Sequence, residues 1–146
     1  MPAARHRLRI PAALDRVADV RALARSVTDE IGAPQVCVDD VVQAVDEAAT
    51  NIVLHGYRGR AGWLDVAVER EGDRVVITIE DDAPPFDPTA HPEPDLTIPA
   101  DRRRPGGMGI HLIRLAMDAV AHRPRPGGGN ILTMSRTLDP RPMEER

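Results

Sequence analysis

Glu47 and Asn51 stand four residues apart within VDDVVQAVDEAATNIVLH, and a helix over residues 38–55 points both side chains the same way. The amide oxygen of Asn51 suits Mg2+, which takes oxygen ligands and keeps several of its waters. The Glu47 carboxylate can accept a proton from a hydroxyl or a water. Asp81 closes the alternating run VVITIED, where period two sets it on the inward face with Val75, Ile77 and Ile79. A buried carboxylate needs hydrogen-bond donors, and the exocyclic amine of adenine is one candidate. Gly106, Gly107 and Gly109 open the apolar stretch GGMGIHLIRLAMD. Glycine inside a helix costs about 1 kcal/mol relative to alanine. Free N–H groups and the dipole at a helix start, however, suit a phosphate. Arg102, Arg103 and Arg104 lie just before these glycines, and guanidinium groups clamp phosphate oxygens. Thr133, in the last apolar run, is a candidate to bond adenine or Asp81.

Each feature also has an ordinary explanation. Glu47 and Asn51 fit an exposed polar pair, Asp81 a strand-end cap, the glycines a flexible loop end, the arginines a solvated charge run and Thr133 a good strand former. Their order and spacing form the stronger signal.

The elements that position these residues follow from hydrophobic period. HRLRIPA (6–12) reads as an edge strand ended by Pro11. Val17, Val20, Ala24, Val27 and Ile31 recur at helical spacing, stopped by Gly32 and Pro34. In the second helix Val41, Val45, Ala48 and Ile52 form one stripe, and Ala44, Glu47, Ala48, Asn51 and His55 an adjacent one. WLDVAVER and VVITIED alternate as strands around the turn EGDR. Residues 82–105 are rich in proline and charge without a period, the mark of a functional or disordered loop. The glycine-led helix carries Ile110, Ile113, Met117 and Val120; DAVAHR reads as a strand, PRPGGG as a turn and NILTMSRTL (130–138) as the final strand. The order β-α-α-β-β-loop-α-β-β predicts an α/β two-layer sandwich, with helices on one face of a mixed sheet.

Composition excludes several classes. The chain of 146 residues predicts a single domain, over residues 1–138, with 139–146 as a disordered tail. Net charge is −4, and Trp63, Tyr57 and Phe86 are the whole aromatic set, which argues against a nucleic-acid platform. Every basic residue counted with lysine is an arginine. Walker A chemistry, the eukaryotic kinase-strand lysine and Schiff bases are therefore excluded. The five histidines show no zinc spacing, and Cys37 is alone. With no apolar leader or membrane-length run, the expected location is the cytoplasm.

EAATNIVLHGY resembles the N box of the GHKL ATPases, the superfamily of gyrase, the heat-shock chaperone, histidine kinases and MutL. DDAPPFDP resembles their first glycine box and GGMGIHLI their second. The wording is most similar to the bacterial anti-sigma-factor serine/threonine kinases of the RsbW/SpoIIAB type. Pro-Phe-Asp-Pro after the Asp, Met-Asp after the glycine-led helix and the final GGGNILTMSR are shared with that branch. The likeness spans about residues 8–138.

The resemblance implies a Bergerat-type ATP-binding fold and a role for each matched residue. Asn51 takes the Mg2+-ligating position, Glu47 the catalytic base and Asp81 the adenine-reading carboxylate. Gly107 and Gly109 face the phosphates; Thr133 is the threonine near adenine, and residues 87–105 are the ATP lid. The implied partners are a STAS-type anti-sigma antagonist as substrate and a sigma factor, in a chain that pairs as a homodimer. One position departs: the first glycine box usually reads D-x-G, and residue 83 is alanine. Glycine tolerates left-handed backbone and close approach, so Ala83 opens a second reading, a nucleotide-binding module that sequesters its partner with little kinase activity.

Overall fold

Val17, Val20, Ala24 and Val27 share one face of a helix, α1 (Val17–Glu30), and all four are buried. Gly32, in the left-handed region at φ +81°, ends it. The structure is a computed structural model and describes residues 5–90, 95–99, 101 and 108–139. The second helix, α2 (Gln35–Asn51), starts three residues before the sequence reading, because Pro34 serves as its N-cap and Cys37 and Val38 already join the buried stripe. At Ile52 the winding widens into a π-helical turn (Ile52–Tyr57). A π turn carries an extra residue per turn, so the face below Asn51 passes to Gly56 and Tyr57, which are buried, while His55 turns to solvent. His55 therefore leaves the Glu47–Asn51 stripe that regular helical spacing assigned to it.

Five strands follow the expected order: β1 (Arg5–Pro11), β2 (Trp63–Glu71), β3 (Arg74–Asp81), β4 (Ala119–Pro124) and β5 (Asn130–Thr137). A third helix, α3 (Met108–Ala116), precedes β4. The sheet runs β1-β2-β3-β5-β4, and all of its neighbouring pairs are antiparallel. This corrects the mixed sheet expected from sequence. The crossover through α3 does make β4 run in the same direction as β3. The β4–β5 turn then sends β5 back into the space between them, antiparallel to both.

The three helices pack on one face. There Leu64, Val66, Val68, Val75, Ile77, Ile79, Leu132 and Met134 meet the apolar stripes of α1, α2 and α3 in a continuous core. Among the described residues, no helix is long and apolar enough to cross a membrane.

Tyr57 ties the end of the π turn to the sheet. Its hydroxyl oxygen accepts the N–H groups of Asp82 at 3.0 Å and Trp63 at 3.2 Å. It also lies 2.7 Å from both the Trp63 carbonyl and the Asp82 carboxylate, its two possible acceptors. Burial, with the adjoining Asp82 carboxylate, pushes this hydroxyl up to about 12. Tyr57→Phe is expected to cost about 2 kcal/mol in urea unfolding, because main-chain groups at two strand ends lose their partner. The wild type is expected to lose stability as pH rises from about 10 to about 12. Over that window the unfolded tyrosine ionises while the folded one keeps its proton. The variant lacks that slope.

Candidate functional site

Gly109, in the first turn of α3, meets the polar face of α2. A Cβ built on it falls 3.3 Å from Glu47 Oε2, 3.4 Å from Asn51 Nδ2 and 3.6 Å from Asn51 Oδ1. The structure thus brings Gly109 against the Glu47–Asn51 pair, from which it is far removed in sequence. Ile110 and Ile113, both buried, anchor α3 and fix this approach. Neither Glu47 nor Asn51 hydrogen-bonds through its side chain to another described residue, and both are half-exposed, so their oxygens are available to a ligand. Burial, with a smaller contribution from neighbouring Asp46, pushes the Glu47 carboxyl up, which strengthens it as a base. Gly106, Gly107, Arg102, Arg103 and Arg104 lie outside the described residues, as does part of the 87–105 segment and all but Asp139 of the 139–146 tail.

Gly109→Ala separates stability from activity. Alanine favours the helix by up to about 1 kcal/mol, and the atoms it meets are the ends of side chains that can move. The expected outcome is an unchanged or raised melting temperature and at least a tenfold loss of any activity that needs Glu47 and Asn51 in place, about 1.4 kcal/mol of barrier. Thermal unfolding and turnover of the same preparation check both parts.

Asp81 is 1% exposed and faces the core side, as its parity predicts. Its Oδ1 accepts the Ala83 N–H and the Asn130 Nδ2, each at 2.9 Å. The described bonds leave Oδ2 without a donor. Burial pushes the Asp81 carboxyl up, and the Asn130 and Ala83 donors act against it.

Thr133 does not take the place proposed for it beside Asp81. In the register of β5 it pairs with Thr78 on one side and Ala121 on the other. Asp81 pairs with Asn130. Residues 130 and 133 differ by an odd number, so they point to opposite faces of the sheet. Asn130 is the polar neighbour of Asp81, and strand parity carried that signal: Leu132 and Met134 are core residues, so Asn130 shares their face. Tyr57 was missed as well, because its role is set by the π turn.

Ala83 is 2% exposed, and among the described residues other than glycine only Arg58 has positive φ. The departure from D-x-G therefore meets no backbone requirement for glycine here. Gly129 does meet one. It sits at φ +108°, and a Cβ on it would fall 1.9 Å from the Asp81 carbonyl oxygen.

A family model described as the histidine kinase-like ATPase domain matches residues 10–136. The serine-protein kinase RsbW of Staphylococcus aureus is 31% identical over 126 residues, 82% of this chain and 79% of that protein. RsbW of Bacillus cereus strain Q1 is 29% identical over 118 residues, 77% of this chain and 73% of that one. A crystal structure of the RsbU and RsbW domains of a Mycobacterium tuberculosis protein superimposes with a TM-score of 0.65 at 21% identity. It covers 92% of this chain, which spans 32% of that longer chain, and it shows the shared fold. The chain belongs to the histidine kinase-like ATPase domain family. Within it, the protein is an RsbW-like serine kinase of the GHKL type.

Proposed function

We propose that this chain transfers the γ-phosphoryl group of Mg2+-ATP to a serine or threonine of a separate STAS-type antagonist, and acts as the anti-sigma factor of a partner-switching pair in the cytoplasm. The observation that carries the reading is the convergence of Glu47, Asn51 and Gly109. In this scheme Asp81 Oδ2 accepts the exocyclic amine of adenine. Asn51 offers one oxygen to the metal, which suits Mg2+, a cation commonly held by one or two protein ligands together with phosphates. Bound Mg2+ supplies charge neutralisation on the phosphates. Glu47 orients and deprotonates the acceptor hydroxyl. Gly109, and with it Gly107 and Arg104, leaves room for and steadies the phosphate chain. Positioning and electrostatics do most of the work in such transfers.

Ala83 opens a reading as a binding module with little kinase activity; its backbone is not left-handed, which speaks against one of the two grounds for that reading. A base at Glu47 has no use in pure sequestration. Calorimetric titration with ATP and Mg2+ tests the binding half of the reading. The wild type is expected to bind, Asp81→Asn to weaken ATP and adenosine alike, and Asn51→Ala to remove the Mg2+ dependence. A wild-type chain that binds no ATP contradicts it.

A further inference from the structure

Asn130 is 4% exposed, and every polar atom of its amide is used. Oδ1 accepts the Phe86 N–H at 3.0 Å, and Nδ2 donates to Asp81 Oδ1 at 2.9 Å and to the Pro84 carbonyl at 3.1 Å. A main-chain N–H can only donate, so the atom it meets is the amide oxygen, and the NH2 group must face Asp81. The same reasoning fixes His122. Its Nε2 lies 2.8 Å from Asn130 Oδ1 and so carries the proton, while Nδ1 faces Asp87 Oδ2 at 3.8 Å. Turning the amide over would set its NH2 against the Phe86 N–H and its oxygen against the Asp81 carboxylate. Two strands and the 83–86 turn thus determine one orientation.

We propose that Asn130, held in this orientation by His122 and the Phe86 amide, is the residue that sets base specificity, by keeping Asp81 an acceptor for an amino-bearing purine. The inference rests on the reading of Asp81 as the base-recognising group. A carboxylate 1% exposed is driven toward its protonated form by burial. Protonated, it becomes a donor, and a donor matches the ring carbonyl of an oxo-purine rather than the amine of adenine. The Asn130 donor opposes that change and so holds the site to one class of base. Asn130 acts through Asp81 and is a positioning residue.

The test uses two substitutions of nearly equal shape, Asn130→Thr and Asn130→Val, with adenosine and inosine as probes. Inosine differs in carrying a carbonyl where adenosine has its amine. Threonine can still donate to Asp81 and valine cannot. The wild type and Asn130→Thr are expected to prefer adenosine. Asn130→Val is expected to lose about tenfold or more of that preference, partly through tighter inosine binding. His122→Ala is expected to fall between them. Equal behaviour of the threonine and valine variants overturns the proposal, because a packing role distinguishes shape and not the donor. Asp81→Asn separates the two layers. If it abolishes the preference while Asn130→Val leaves it intact, the reading of Asp81 stands and the role of Asn130 falls. If the wild type shows no preference, both fall.

Discussion

Glu47→Gln is expected to lower phosphoryl transfer by about 10²- to 10⁴-fold, the range a positioned general base contributes, with ATP affinity little changed. Glutamine keeps the size and one carbonyl oxygen of the side chain, and the Glu47 carboxylate holds no described partner that the change would orphan. The fold should therefore survive. Stability is expected to rise at neutral pH. Burial lifts the folded carboxyl above its ordinary value, so the protonated side chain is the one the fold prefers. That stability is present in acid, below the unfolded value, and is lost as pH rises through the folded one. An uncharged glutamine retains it. Loss of activity together with a gain in stability is the signature of a group placed for chemistry. Steady-state transfer and thermal melts at pH 7 and near pH 4 measure both.

Gly129→Ala is expected to destabilise the protein by more than about 3 kcal/mol and to remove adenosine binding with it. Two penalties coincide. The backbone is left-handed at φ +108°, and the new Cβ would fall 1.9 Å from the Asp81 carbonyl oxygen and 2.8 Å from the Asp82 Cα. Those are main-chain atoms and cannot swing aside. Relief requires the start of β5 to move away from β3, which breaks the Asp81–Asn130 pairing. Gly128→Ala is the control. Its φ is +115°, but nothing lies within 4 Å of its added Cβ, so strain alone applies, about 1–3 kcal/mol. Urea unfolding of the two variants, with adenosine titration, distinguishes collision from strain.

The helical stripe of α1 and the alternation of β3 were legible because burial acts on local period. Val20 and Ile77 are buried where the pattern put them, and Asp81 follows from the same alternation. The meeting of Glu47 and Asn51 with Gly109 was legible only as chemistry, since nothing local places α3 against α2. What escaped depended on register and winding. The antiparallel sheet follows from where β5 inserts, a long-range choice that strand patterns do not encode. Thr133 was selected by residue type, yet parity counted from Leu132 and Met134 gives Asn130 the place beside Asp81. The widening at Ile52 moves Gly56 and Tyr57 inward in place of His55, and regular helical spacing carries no sign of it.

The most direct test of the central claim is a transfer assay. The protein is incubated with γ-labelled ATP, Mg2+ and STAS-domain proteins from the same genome, alongside Glu47→Gln, and the products are mapped by mass spectrometry. The predicted result is a phosphoserine or phosphothreonine on one STAS partner, formed by the wild type and absent with the variant. ATP that binds yet is passed to none of those partners would contradict the account.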